Sequence, residues 1–252
     1  MIRLIQFLVV PLLLLAAWHI SSTSGVVSAY LLPPPETVFQ TACTMAASGD
    51  LARHLGASMD RICSGFFISI TAGCILAAIL ARFSLLEKLL DLPLSFMRMT
   101  PPLAVIPLLI LWLGIGEATQ QAIIILASFF PTFLNARAGF SRLDNSYKEL
   151  AASLRLSFFD YARYLALPAA VPSIVTGIRL SFGYSWRALI GAELIAASTG
   201  LGYMITDAEQ MQRVDEVMVG IFLIGLVGWS LDSLFRLLSI KLLGRRFPEV
   251  AN

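Results

Sequence analysis

The sequence predicts an all-α integral membrane protein with six transmembrane helices. Three observations lead there. The 252 residues are 58 % hydrophobic and only 13 % charged, with a mean hydropathy of +0.80. Apolar runs recur at the length that crosses a bilayer, about 17 to 25 residues. They fall at 4–20, 62–81, 99–114, 119–139, 173–196 and 217–239, and make one transmembrane domain over 1–252. Between them, basic residues collect in every second connecting piece.

In chain order, the first run has Arg3 ahead of it and Ser21-Ser22-Thr23-Ser24-Gly25 after it. No small-x-small cleavage pattern follows, so the run reads as an uncleaved span and not as a signal peptide. The piece from Ser21 to Arg61 opens with Leu32-Pro33-Pro34-Pro35-Glu36, an extended stretch unsuited to a helix interior, after which a short amphipathic helix is expected. The second run sets Gly65, Ser69, Gly73, Ala77 and Ala81 four residues apart. Such a stripe lets helices approach closely in lipid, within the chain in preference to a dimer seam. The third run starts with Pro101-Pro102 and contains Pro107, which predicts a kink, and Gly114-Ile115-Gly116-Glu117 predicts a tight turn into the fourth. On the fourth run, Ser128, Thr132, Asn135 and Gly139 share a face, polar enough to look on protein or a water-filled path and not on lipid.

Charge sets the expected sidedness. With the N-terminus inside, the inner pieces hold Arg3; Arg82, Lys88 and Arg98; Arg137, Arg142, Lys148, Arg155 and Arg163; and Arg236, Lys241, Arg245 and Arg246. The outer pieces hold Arg53, Arg61 and Arg213. Thirteen against three is the positive-inside bias, and it places both termini and the central loop in the cytoplasm. The small net charge of +2 gives no reason to expect nucleic acid.

The central loop, 141–172, carries two capping boxes. In Ser146-x-x-Glu149 and Ser157-x-x-Asp160, a hydroxyl accepts the amide three residues on, and the acidic side chain reaches back. Two short helices should therefore meet at an elbow near Arg155-Leu156, the second carrying Phe158, Phe159, Tyr161 and Leu165 and stopping around Leu167-Pro168. Such an elbow would project from the inner face.

These residues carry a resemblance. Glu149-Leu150-Ala151-Ala152-Ser153-Leu154-Arg155-Leu156-Ser157 followed by Leu167-Pro168 resembles the "EAA" loop of bacterial ABC importer permeases. That loop reads Glu-Ala-Ala, a spacer, Gly, a longer spacer, then Ile-x-Leu-Pro. Leu32-Pro33-Pro34-Pro35-Glu36, Pro101-Pro102-Leu103-Ala104-Val105-Ile106-Pro107, Trp112-Leu113-Gly114-Ile115-Gly116-Glu117 and the segment Ala192 to Tyr203 are similar to the nitrate/sulfonate/taurine branch. The likeness covers most of the chain from residue 30 to 240.

It implies a type I importer permease fold, with the elbow as a cytoplasmic coupling helix in a groove of the ATPase. Glu149, Ala151, Ala152, Leu154, Arg155, Ser157 and Pro168 are its ATPase-coupling residues. Leu150 replaces the family's second residue, and Arg155 its glycine. A left-handed turn at a non-glycine residue costs roughly 1 kcal/mol or more, so either the elbow is shaped differently here or a charge contact from Arg155 to the ATPase offsets the strain, and the second is expected. The further implications are a homodimer in the bacterial cytoplasmic membrane, an ATPase dimer that binds ATP and Mg, and an extracytoplasmic solute-binding protein. The chain itself would hold no cofactor and catalyse nothing.

The fifth run holds Arg179, Arg187 and Glu193, and ionisable groups at membrane depth are functional candidates. Arg179 is close enough to the run's start to snorkel to the surface. Arg187, beside Trp186, would either pair with Glu193 across helices or offer positive potential to a passing anion. The expected translocation path thus comprises Ser128, Thr132, Asn135, Trp186, Arg187 and Glu193. Gly200-Leu201-Gly202-Tyr203 reads as an irregular outer segment at the gate.

Other classes fare less well. No GxxxxGK[ST] occurs and none of the three lysines follows a glycine, so the chain has no P-loop. His19 and His54 lie outside any HExxH or Ser/His arrangement. Cys43, Cys63 and Cys74 suggest neither a metal site nor a disulfide framework. The alternative function is a self-contained secondary transporter, which needs paired repeats with broken helices, and no repeat is visible. Solute identity is not legible here, because selectivity in such systems resides largely in the binding protein.

Overall fold

The computed structural model describes residues 2–25, 27–141, 145–244 and 247, and among them the chain is helical with no strand. The helices are α1 Ile2–Thr23, α2 Pro35–Ser48, α3 Asp50–Arg82, α4 Ser84–Met99, α5 Ile106–Leu113, α6 Glu117–Ser141, α7 Asn145–Ser153, α8 Phe158–Tyr161, α9 Leu167–Ala196, α10 Leu201–Gln210 and α11 Val214–Leu243. Of these, α3, α6, the run Phe159–Ala196 and α11 are long and apolar enough to cross a bilayer. The bent pair α4/α5 is apolar enough only when taken together, as a broken span or a re-entrant loop, and α1 stands where the first span is expected.

Two spans differ from the sequence expectation. The second, expected over 62–81, is the 33-residue helix α3. Arg53, His54 and Arg61 are therefore helical and not in a loop, because hydropathy stops at charge whereas backbone hydrogen bonding does not. The third, expected over 99–114, is split. Its first half is α4, within what reads as an inner loop, and the axis turns by 88° before Pro102–Leu113. The bend falls at Pro101-Pro102, where missing N–H groups end the helix and a 3₁₀ turn, Pro102–Val105, takes over. Pro107 adds no kink because it sits in the first turn of α5, where its N–H has no partner to lose. The tight turn into α6 forms as expected, with Gly114 at φ 81 and Gly116 at φ 142, and so does the helix after the prolines, α2.

The chain divides into two compact units, Met1–Ser58 with Ser198–Leu226, and Met59–Ala197 with Val227–Asn252. In the first, the Trp18 indole donates to the Pro33 carbonyl at 3.0 Å and stacks on Phe222 at 5.6 Å. Thr41 donates to Asp215 at 2.6 Å, tying α2 to the start of α11. Gly200 (φ 120) is the N-cap of α10. Its N–H donates to His54 Nδ1 at 3.1 Å and that of Leu201 to Ser58 Oγ at 2.9 Å, so side chains of α3 satisfy two amides a helix start leaves open. The expected irregular segment at Gly200-Leu201-Gly202-Tyr203 is therefore a capped helix.

The second unit is built on α6 and α9, packed through small residues. A Cβ on Gly177 would stand 2.6 Å from Asn135 Cβ, and one on Gly139 3.0 Å from Ala170 Cα. The stripe on α3 packs on α6. Gly65 lies against Ile124, Gly73 against Phe129, Thr132 and Phe133, and Ser69 donates to the Ile125 carbonyl at 3.2 Å. Ala77 is buried with Leu80, Phe133 and Ala136, while Ala81 is exposed. Small residues thus bring backbones together where lipid supplies no hydrophobic drive. Arg137, bonded to Glu87 at 2.6 Å, ties α4 to α6.

Candidate functional site

Two features concentrate exposed functional groups: the elbow between α7 and α8, and the charged residues of α9.

The elbow is set by backbone geometry. Helix α7 ends in a Schellman motif, in which the Leu156 N–H bonds the Ala151 carbonyl and the Arg155 N–H the Ala152 carbonyl, both at 3.0 Å. That closure requires a left-handed residue, and Arg155 takes it at φ 48. Ser157 then caps α8. Its Oγ accepts the Asp160 N–H at 3.2 Å, as the second box requires, but the Asp160 carboxylate accepts from the Ser157 hydroxyl at 2.6 Å where the box has it reach the backbone amide. The Ser146 side chain and Arg142 lie outside the described residues, and so do Arg245 and Arg246.

Around the turn, Glu149, Ala152, Arg155 and Ser157 are exposed and Ala151 is half-buried. Leu154 is 60 % and Phe159 69 % exposed, so apolar groups stand in the open beside the charges. The second helix does not stop at Leu167-Pro168 as expected. A π-turn at Ala162–Ala166 carries it into α9, with the Leu167 N–H reaching back to the Ala162 carbonyl. Pro168, half-buried, follows directly on the π-turn, at the second residue of α9.

The residues expected along a path separate into three settings. Ser128 and Thr132 are fully buried between α6 and α9. Ser181 donates to the Ser128 carbonyl at 2.6 Å. Its one proton is thereby placed, so Thr132, 2.7 Å away, is the donor to the Ser181 oxygen. Ser128 bonds the Ile124 carbonyl at 2.6 Å, and half-buried Asn135 the Pro131 carbonyl at 2.8 Å. Trp186 is buried too, stacked on Phe182 at 6.5 Å, with Gly228 of α11 so close that a Cβ would meet Nε1 at 2.6 Å.

Glu193 pairs with Arg61 of α3 at 2.9 Å, their side chains 0 % and 6 % exposed. Of the two alternatives for Arg187, the pair with Glu193 is therefore not formed. Arg61 reads as a residue of the outer loop, yet α3 carries it inward to the carboxylate. Arg187 is exposed, its guanidinium 5.9 Å from the Tyr184 ring centroid. Arg179 has a partner of its own. It grips Asp232 of α11 through two bonds of 3.0 and 2.9 Å. Sequence reasoning missed Asp232, although a lone carboxylate inside the run 217–239 was the signal that could have found it. No group of three or more His, Cys, Asp or Glu side chains among the described residues could hold a metal ion.

This chain is similar to known proteins over nearly its whole length. It is 40 % identical, over 94 % of its length and 86 % of the relative's, to a putative aliphatic sulfonates transport permease protein, SsuC, of Bacillus subtilis (strain 168). It is 33 % identical to the taurine transport system permease protein TauC of Escherichia coli (strain K12), over 91 % of this chain and 85 % of that one. The bicarbonate transport system permease protein CmpB of a Synechocystis species is 29 % identical over 86 % of this chain and 81 % of its own. Residues 69–247, which hold the elbow, the α6/α9 pair and both membrane arginines of α9, match the family described as binding-protein-dependent transport system inner membrane component. The chain belongs to that family.

Proposed function

We propose that this chain is the permease subunit of an ATP-driven importer for a small anionic solute of the sulfonate, taurine, nitrate or bicarbonate type. Two copies enclose the path, a separate ATPase hydrolyses ATP, and a binding protein delivers solute from outside. The thirteen-to-three split of basic residues supports a cytoplasmic position for both termini and the elbow. There α7 and α8 enter the ATPase groove, with Leu154 and Phe159 as apolar anchors and Glu149 and Arg155 as charged ones.

The observation that carries the anion reading is Arg187. It lies twenty residues into α9, about 30 Å from its start, exposed and set against a tyrosine face. Among the described residues no carboxylate pairs with it, so its positive charge is available to a solute. Uptake by Arg187→Gln, measured with the binding-protein-stimulated ATPase rate alongside, tests the role. Uptake is expected to fall roughly tenfold, the loss of one charge-assisted contact, with hydrolysis retained. Normal uptake contradicts it.

A further inference from the structure

The Arg179–Asp232 pair is in an unusual place. Arg179 lies twelve residues beyond Leu167 and Asp232 eleven before Leu243, so each is about 17 Å from the end of its helix. Both residues lie inside helices long and apolar enough to cross a bilayer, and each side chain of the pair is 44 % exposed. Taking charges out of water costs several kcal/mol per ion, and lipid returns none of it.

The exposed residues around the pair mix polar groups with Leu180, Trp229 and Leu234. On α9, Thr176, Arg179, Tyr184 and Arg187 are exposed at helical spacing, and a Cβ on Gly183 would meet nothing within 4 Å. The opposite face of α9, with Ser173, Gly177 and Ser181, is the one buried on α6. Two arginines on one face of an apolar span are costly against acyl chains and suit a water-filled path.

Chemistry narrows the role. The guanidinium holds Asp232 through the two-pronged geometry that also fits a sulfonate or carboxylate. Arg187 is eight residues further along the same helix, about 12 Å away. Beyond Asp232, one turn along α11, stands exposed Arg236, placed to receive a carboxylate released from Arg179.

We propose that Arg179 is a second station for the solute anion, inward of Arg187, at which the solute's acid group displaces the Asp232 carboxylate. Asp232 acts as a resident competitor. It keeps the station from binding so tightly that the anion cannot leave, since conduction needs sites weak enough to release. The inference rests on the import reading above and adds two residues to it.

The test uses protein freed of Cys43, Cys63 and Cys74, reconstituted with its ATPase and binding protein and carrying Arg179→Cys. Uptake should fall roughly tenfold while stimulated ATP hydrolysis persists. The cationic aminoethyl methanethiosulfonate should then restore much of it, and the anionic sulfonatoethyl reagent should not. A thiol that neither reagent reaches, or uptake equal to the cysteine-free parent, overturns the proposal. Asp232→Asn provides a second reading that survives poor assembly of the first variant. Loss of the competitor should lower KM and kcat together, whereas an unchanged KM with a lowered unfolding temperature marks a merely structural tie and overturns it. A parent without ATP-dependent uptake would sink the import reading itself. Uptake by the parent with an unreachable thiol sinks this inference alone.

Discussion

Arg155 holds a left-handed backbone at φ 48 while closing the end of α7 and exposing its guanidinium at the tip of the elbow. A Cβ in that conformation costs about 1 kcal/mol, which Arg155→Gly would remove. If the arginine is kept for a charge contact to the ATPase, Arg155→Gly will weaken co-purification with the ATPase and reduce uptake despite its relaxed turn. Unchanged docking and transport would show the side chain to be idle. The Arg61–Glu193 pair, buried at 2.9 Å, makes the opposite kind of prediction. Removing one partner leaves a buried charge, so Glu193→Ala should destabilise the detergent-solubilised protein by about 3–5 kcal/mol, read as a fall in unfolding temperature. A loss below about 1 kcal/mol, typical of an exposed pair, would contradict the burial. The family resemblance marked Arg155 as standing at a glycine position, and the left-handed backbone there decides against a differently shaped turn. The partners of Glu193 and Arg179 were not legible, since Arg61 and Asp232 come from helices that sequence order keeps far away.

At the scale of helices, glycines separate contact from open space. A Cβ on Gly177 would stand 2.6 Å from Asn135 Cβ, while one on Gly183, two turns along the same helix, meets nothing within 4 Å. Gly177→Ala should therefore cost about 1–3 kcal/mol by overpacking. Gly183→Ala should be neutral or stabilising by about 0.5–1 kcal/mol, the helix preference of alanine. Equal unfolding temperatures for the two variants would contradict the tight α6/α9 seam. Element type was easy to read, because apolar runs of bilayer length have few solutions. Boundaries were harder. The sequence signalled a proline kink, and the bend falls at Pro101-Pro102, but it turns by 88°, making α4 a separate helix. The start of α10 was illegible for a clearer reason. Its caps, His54 and Ser58, come from α3, whereas capping rules look only a few residues along the chain.

For the molecule as a whole, one helical chain presents two working surfaces. An elbow carries Leu154, Phe159, Glu149 and Arg155 in the open, and α9 carries arginines at membrane depth. The family is described as binding-protein-dependent, and the proposed function gives the elbow to the ATPase and the α9 arginines to the solute. The most direct measurement is uptake of a labelled alkanesulfonate into vesicles that contain this chain, with and without its ATPase and binding protein. The account predicts uptake that requires ATP and both partners and ceases when either is left out. Uptake driven by an ion gradient through this chain alone would contradict it.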